Sequence, residues 1–137
     1  MDFAITVKAV IIKDGRFLLL RRSKREMEKS FLNRYEPWDL PGGGVRFFET
    51  SQKALFREIR EETQLDVRLI GILNAYDAIK SRLHMLILTY MCEYIGGEVI
   101  LSCEHDSYYW LTVEEMESLD VPKWMIRIFK SAVEYKY

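Results

Sequence analysis

The stretch from residue 83 to residue 95 constrains the fold of this chain more than any other. Its sequence, LHMLILTYMCEYI, is apolar on both of the faces that alternate along a β-strand. Such a strand must be covered on both sides, which is typical of a sheet that lies between layers of helices. We therefore predict a sheet with helices on each face.

Shorter patterns predict the other elements. Strands are predicted at 3–12, 16–20, 65–76, 98–101 and 108–111, and helices at 50–64, after a capping box at 112–115, and at 122–134. The length of 137 residues suits a single domain spanning residues 1–137. The mixture of strands and helices predicts an α+β fold, arranged as an α/β/α sandwich.

The charge of the chain is almost balanced, with 20 Lys and Arg against 21 Asp and Glu. This balance argues against stable nucleic-acid binding, which usually needs a basic surface. The sequence has no run of about 18 apolar residues, and residues 1–5 lack the pattern of a signal peptide. We therefore expect a cytoplasmic protein without membrane contact. Residues 21–34 are locally basic and are predicted to form a loop, either a solvated connection or a positive rim beside an anion site.

The helix predicted at 50–64 carries three acids in a small arc. At about 100° per residue, Glu58, Glu61 and Glu62 fall close together, beside an apolar arc formed by Leu55, Phe56, Ile59 and Thr63. Like charges at these spacings repel, and hard divalent cations that take oxygen ligands offset such repulsion. The alternative is a solvated acidic face balanced by Arg57 and Arg60.

A run of three glycines precedes this helix. Gly42 to Gly44 indicates unusual backbone geometry or close approach to a ligand. Gly43 precedes Glu49 by six residues, and Glu49 precedes Arg57 by eight. The complete pattern over residues 43–65 is GX5EX7REUXEEXXU, where U is apolar, and it resembles the Nudix box; the preceding WDLPGGG is also typical of that family.

The resemblance implies a Nudix fold, with a mixed sheet between helices. It also implies an enzyme that uses Mg²⁺ or Mn²⁺ to hydrolyse a nucleoside diphosphate linked to another group, by attack of water at phosphorus. Carried over to this sequence, Glu58 and Glu62 are the principal metal ligands, and Glu61 is a ligand or a close support. The Gly42 carbonyl is a further candidate ligand.

The same resemblance implies roles around the metal. Glu49 and Arg57 would pair and orient the carboxylates, and Gly43 would let the backbone approach the phosphates. Arg46 is expected either to contact a phosphate or to face solvent. An aromatic residue is more often part of the core than a stacking surface. The candidates for base stacking are Phe47, Phe48, Tyr76 and Tyr35, and of these Phe47 is the predicted substrate-binding residue.

A second acid lies in a predicted turn after the strands. Family members take the proton from water with a box glutamate or with a glutamate on a later loop, so Glu61 and Glu104 are the candidates here. Glu104 is predicted to be the general base or an extra metal ligand, against the alternative of an exposed loop acid. His105 and His84 show no metal-ligand spacing and are read as a loop and a strand-end residue.

Two positions depart from the family pattern. Gln64 stands where the box normally has Gly at the end of the helix, a position that favours left-handed backbone. Within the X5 spacer, many relatives carry Glu and Gly where Arg46 and Phe48 stand here. The Gln64 departure affects the expected loop geometry more than the chemistry.

The substrate is predicted by elimination among the subfamilies that the resemblance suggests. Hydrolases of ADP-ribose tend to carry a proline after the box, and this sequence has none between Pro41 and Pro122. A nucleoside triphosphate pyrophosphohydrolase therefore leads. The alternatives are an ADP-ribose, nucleotide-sugar or dinucleoside polyphosphate pyrophosphatase, and a non-catalytic nucleotide sensor. A homodimer is a family-level expectation.

Overall fold

A computed structural model of the protein describes residues 1–28 and 36–135. Seven strands lie in this part of the chain: β1 (Asp2–Lys13), β2 (Arg16–Arg22), β3 (Trp38–Asp39), β4 (Gly42–Gly44), β5 (Asp66–Lys80), β6 (Leu83–Gly96) and β7 (His105–Leu111). The same ranges contain four helices: α1 (Lys24–Glu28), α2 (Ser51–Thr63), α3 (Val113–Glu117) and α4 (Lys123–Glu134). None of these helices is both long and apolar enough to cross a membrane.

The strands form one mixed sheet around β1. Strand β1 runs parallel to β6 along most of its length, and β5 is antiparallel to β6. On its other side, β1 pairs antiparallel with β2 near the hairpin turn and with β4 farther along. Strand β2 lies between β3 and β7, with Leu20 opposite both Asp39 and Tyr108. This arrangement brings β3, β4 and β7 to one region of the sheet.

Helices cover both faces of the sheet, as predicted. Successive residues of β2 point to opposite sides, so Phe17 and Leu19 pack in a core with α3 and α4. Leu18 and Leu20 pack in a second core with α2. The two cores confirm the α/β/α sandwich.

The structure differs from the predictions at several positions. Residues 98–101 do not form the predicted strand, and the Ile100 amide instead donates to the Thr63 carbonyl at the end of α2, at 3.0 Å. Strand β2 extends to Arg22 and is followed by α1, so the first part of the predicted loop at 21–34 is ordered structure; residues 29–34 lie outside the described ranges. Phe56, on the predicted apolar arc of α2, is 41% exposed.

Candidate active site

Helix α2 begins and ends as its sequence predicts. The Thr50 hydroxyl accepts a hydrogen bond from the Lys53 amide at 3.2 Å, which caps the first turn. At the other end, Gln64 adopts left-handed backbone with φ of 65°, and its amide donates to the Arg60 carbonyl at 3.0 Å. Gln64 therefore has the left-handed conformation that favours Gly, the residue that usually occupies this position of the box.

The glycine strand β4 packs directly against α2. A Cβ atom on Gly43 would lie 2.5 Å from Cδ of Glu58, so only a glycine fits at the observed separation. Gly42 has φ of 151°, and a Cβ there would lie 2.0 Å from the Val7 carbonyl oxygen. The Gly42 amide donates to Oε1 of Glu62 at 3.0 Å. The glycines therefore bring backbone into contact with two of the helix carboxylates.

Arg57 connects the acids of the box. Its Nε and Nη2 donate to both carboxylate oxygens of Glu49, at 2.7 and 2.9 Å. Its Nη1 donates to Glu58 at 2.8 Å and to Glu61 at 3.4 Å, and its Nη2 also donates to the Gly44 carbonyl. The Arg57 hydrogen bond, with one from the Arg46 amide, lowers the pKa of Glu49 to about 2.

Glu62 is the buried acid of the helix, whereas Glu61 has a side chain that is 51% exposed. Burial raises the pKa of Glu62 to about 9, against the lowering effects of the Lys8 charge and the Gly42 hydrogen bond. A hydrogen bond with Glu104 also contributes to this rise in the pKa of Glu62. A buried carboxylate beside a second carboxylate is costly without a cation, so the surroundings of Glu62 fit a bound divalent metal.

Three side chains come close enough to share one ion. Ligand atoms of Glu62, Glu104 and His105 all lie within 4.8 Å of one another. Within the described ranges, Glu58 and Glu61 are not part of this group, so the three helix acids do not form one metal-sized cluster on their own. Glu104 lies in a turn, as predicted, but His105 is a buried residue that begins β7 rather than a loop residue.

His105 also belongs to a buried cluster of ion pairs around Asp39, which the sequence analysis did not predict. Asp39 contacts Nζ of Lys8 at 3.0 Å, Nη2 of Arg22 at 3.1 Å and Nε2 of His105 at 3.0 Å. Burial alone would raise the pKa of Asp39, but Lys8, the His105 hydrogen bond and Arg22 together hold it well below its usual range. One available signal was Lys8 itself, a charge between the apolar residues Val7 and Ala9 of a strand.

The predicted substrate contacts have different surroundings. Phe47 and Phe48 are almost fully exposed, with rings 6.3 Å apart, and Phe48 has φ of 64° at the position where many relatives carry Gly. The Arg46 amide donates to Glu49 at 3.1 Å. Tyr35 lies outside the described residues.

Tyr76 lies in a cleft between the sheet and α4. A cavity of about 570 Å³ is bounded by β5 and α4 and lined by Leu73, Asn74, Tyr76, Trp124, Arg127, Ile128 and Ser131. A narrower cavity of about 20 Å³ is also lined by Tyr76 and Trp124, and it reaches Lys8 and Asp39. The two cavities therefore share lining residues, and only the narrow one is lined by Lys8 and Asp39.

Comparison with known proteins gives the family. The chain is 33% identical over 98 residues to an ADP-ribose pyrophosphatase of Methanocaldococcus jannaschii, covering 70% of this chain and only 54% of that protein. It is 30% identical over 95 residues to the nucleoside triphosphatase NudI of Klebsiella pneumoniae, covering 61% of this chain and 67% of the relative.

Its fold matches a crystal structure of a MutT protein from Methanosarcina mazei Go1, with a TM-score of 0.78 and 30% identity over 96% of this chain and 94% of that one. A family model described as the NUDIX domain matches residues 2–132. The chain therefore belongs to the Nudix hydrolase family.

Proposed function

We propose that the protein is a metal-dependent pyrophosphohydrolase that cleaves a diphosphate linkage in a nucleoside tri- or polyphosphate. The observation that carries this proposal is the buried carboxylate of Glu62. It accepts a hydrogen bond from the Gly42 amide at the start of β4 and lies beside Glu104. Folding alone gains nothing from burying the Glu62 carboxylate beside a second carboxylate, that of the exposed Glu104, whereas a polyphosphate enzyme needs such a site to hold a cation.

The box supplies the ligands that Mg²⁺ or Mn²⁺ prefers. Glu58 and Glu62 are the proposed principal ligands, with Glu61 and the Gly42 carbonyl as further oxygen donors. When bound, such an ion shields the phosphate charge and lowers the pKa of bound water. Gly43 supports this role because its lack of a side chain leaves space next to Glu58.

The remaining box residues act on these carboxylates. Arg57 holds Glu49 and Glu58 at the same time, so we assign this pair the task of fixing the direction of the Glu58 carboxylate. Glu104 and Glu61 are the candidates for taking the proton from the attacking water. Proximity to the buried Glu62 favours Glu104, since a carboxylate that ligates through one oxygen keeps the other to accept the proton.

The cavity between β5 and α4 supports a nucleoside as the rest of the substrate. Its volume of about 570 Å³ lies in the usual range for small-molecule sites, and Tyr76 and Trp124 offer aromatic surface to a base. On the loop before α2, Arg46 is the proposed phosphate contact and Phe47 is a proposed contact of the base.

The similar proteins leave two substrate classes to compare. The relative named nucleoside triphosphatase agrees with our leading proposal, whereas the relative named ADP-ribose pyrophosphatase supports the rival class. The absence of a proline between Pro41 and Pro122 favours the triphosphate. The presence of Glu58, Glu61 and Glu62 disfavours the third alternative, a nucleotide sensor without activity.

A product analysis tests the proposal. The protein is incubated with Mg²⁺ and, in separate reactions, nucleoside triphosphates, dinucleoside polyphosphates and ADP-ribose, and the products are separated by chromatography. We expect a nucleoside monophosphate and pyrophosphate from a triphosphate. Preferential release of AMP and ribose phosphate from ADP-ribose would establish the rival class, and binding without any product would establish the sensor.

A further inference from the structure

In the described part of the chain, two buried side-chain nitrogens have no hydrogen-bond partner: Nε of Arg22 and Nδ1 of His105. The His105 atom is the one that lies beside the proposed site. The side chain of His105 is 1% exposed, and its Nδ1 atom has no hydrogen-bond partner in the described part of the chain. Buried polar atoms nearly always have a partner, because an unpaired one loses its interaction with water and gains nothing in return. The Nδ1 atom therefore needs a partner other than the side chains and backbone of residues 1–28 and 36–135.

The surroundings of His105 determine which ring nitrogen is available. Asp39 contacts the cations of Lys8 and Arg22, so its carboxylate is an acceptor only. Nε2 of His105 lies 3.0 Å from Oδ2 of Asp39 and must therefore carry the proton and donate. In a neutral imidazole, this arrangement leaves a lone pair on Nδ1, which is the form that binds a metal.

The ring of His105 belongs to a group of side chains that can share an ion. A ring nitrogen of His105 and carboxylate oxygens of Glu62 and Glu104 all lie within 4.8 Å of one another. We propose that Nδ1 of His105 joins Glu62 and Glu104 in a mixed nitrogen and oxygen site that prefers a first-row transition ion, such as Mn²⁺ or Co²⁺, to Mg²⁺. The proposal rests on the proposed function, because Glu62 and Glu104 belong to the same site.

The preference follows from the donor set. Mg²⁺ takes oxygen ligands almost exclusively, whereas imidazole nitrogen binds transition ions with an affinity that rises from Mn²⁺ to Co²⁺. Asp39 acts as the carboxylate behind the histidine, which orients the ring and increases the basicity of the ligating nitrogen. Lys8 and Arg22 keep Asp39 in place for this role.

Pulsed electron paramagnetic resonance of the Mn²⁺-loaded full chain, without a histidine tag, tests the ligand directly. The sequence has only two histidines, so a nitrogen-14 modulation on bound Mn²⁺ has few possible sources. We expect this modulation in the wild type and its loss in His105→Gln, whose side-chain amide still donates to Asp39. His84→Gln is the matched control and should keep the signal, because His84 is paired with Asp77.

Calorimetry of Co²⁺ and Mg²⁺ binding gives the second readout. The His105→Gln substitution should weaken Co²⁺ binding by roughly 10-fold or more and Mg²⁺ binding by less than about 3-fold. Wild-type protein without nitrogen modulation, a signal that persists in His105→Gln, or equal losses for both ions would overturn the proposal. If His105→Gln does not fold, the wild-type signal and its retention in His84→Gln decide the question.

These measurements contain no nucleotide. A protein that binds Mn²⁺ through nitrogen but hydrolyses nothing would contradict the proposed function and leave the ligand assignment intact. Hydrolysis by a protein whose bound ion has only oxygen ligands would support the proposed function and contradict the assignment of His105 as a ligand.

Discussion

Arg57 donates two hydrogen bonds to Glu49, one to each carboxylate oxygen, at 2.7 and 2.9 Å. The same guanidinium holds Glu58, so a change at Glu49 should be felt at the proposed metal ligand. We expect Glu49→Gln to lower kcat for nucleotide hydrolysis by roughly 10-fold or more, because the neutral amide offers a single acceptor to Arg57. Steady-state kinetics at saturating Mg²⁺ measure this effect.

Glu98→Gln is the control for that substitution, since Glu98 is an exposed acid outside the box. It should leave kcat unchanged. Equal rates for wild type and Glu49→Gln would contradict the orienting role of the pair.

The same ion pair predicts a pH dependence of stability. The Arg57 hydrogen bond lowers the pKa of Glu49 from 4.5 to about 2, so the unfolded chain binds more protons than the folded one between these values. The stabilisation is fully present above about pH 4.5 and is lost as the pH falls towards 2. Chemical denaturation should show that the stability advantage over Glu49→Gln shrinks from about pH 5 to about pH 2. A constant difference would refute this account of the pair.

Two neighbouring glycines should respond differently to the same substitution. A Cβ on Gly43 would lie 2.5 Å from Glu58, whereas a Cβ on Gly44 would meet nothing within 4 Å. We expect Gly43→Ala to reduce kcat/KM by roughly 100-fold by displacing the carboxylate, and Gly44→Ala to stay within about 3-fold of wild type. Circular dichroism of both variants checks that they fold, and similar activities would argue against close approach as the reason for Gly43.

Gln64 offers a stabilising substitution. Its φ of 65° costs a residue with a side chain on the order of 1 kcal/mol, a cost that glycine avoids. Gln64→Gly should therefore increase the free energy of unfolding by about 1 kcal/mol and raise Tm by about 3–5 °C. Gln64→Ala keeps the strain and should show no such gain in a thermal melt. A lower Tm for the glycine variant would mean that the Gln64 side chain contributes more than its backbone costs.

The elements that the sequence predicts well are those with local signals. The apolar pattern and the Thr50 cap define α2, and the two-faced apolar stretch defines β6. Strands β3 and β4 have only two and three residues, so they carry no periodicity to detect. The residues at 98–101 have strand-like composition, but their hydrogen bonding is satisfied partly by the end of α2 instead.

In the candidate site, too, the sequence predicts the residues that share a local motif and misses those that long-range strand pairing brings together. The box acids are close in sequence and share a helix, so a motif finds them. Lys8, Asp39 and His105 come from β1, β3 and β7, and they meet only because β3 and β7 both pair with β2. Their role in one cluster depends on long-range strand pairing, which a single sequence does not reveal. Helical spacing does not reveal the burial of Glu62 either, because it groups Glu62 with Glu58 and Glu61, which are both less buried.

The most direct test of the central claim is the Mg²⁺-dependent hydrolysis rate of the Glu62→Gln variant. The amide keeps an oxygen that accepts from the Gly42 amide, so the substitution removes the charge and preserves the hydrogen bond. We predict that kcat for a nucleoside triphosphate falls by roughly 100-fold or more, while Tm in chelator is equal to or higher than that of the wild type. A variant that folds and hydrolyses the triphosphate within about 3-fold of the wild-type rate would contradict the assignment of Glu62 as the buried metal ligand.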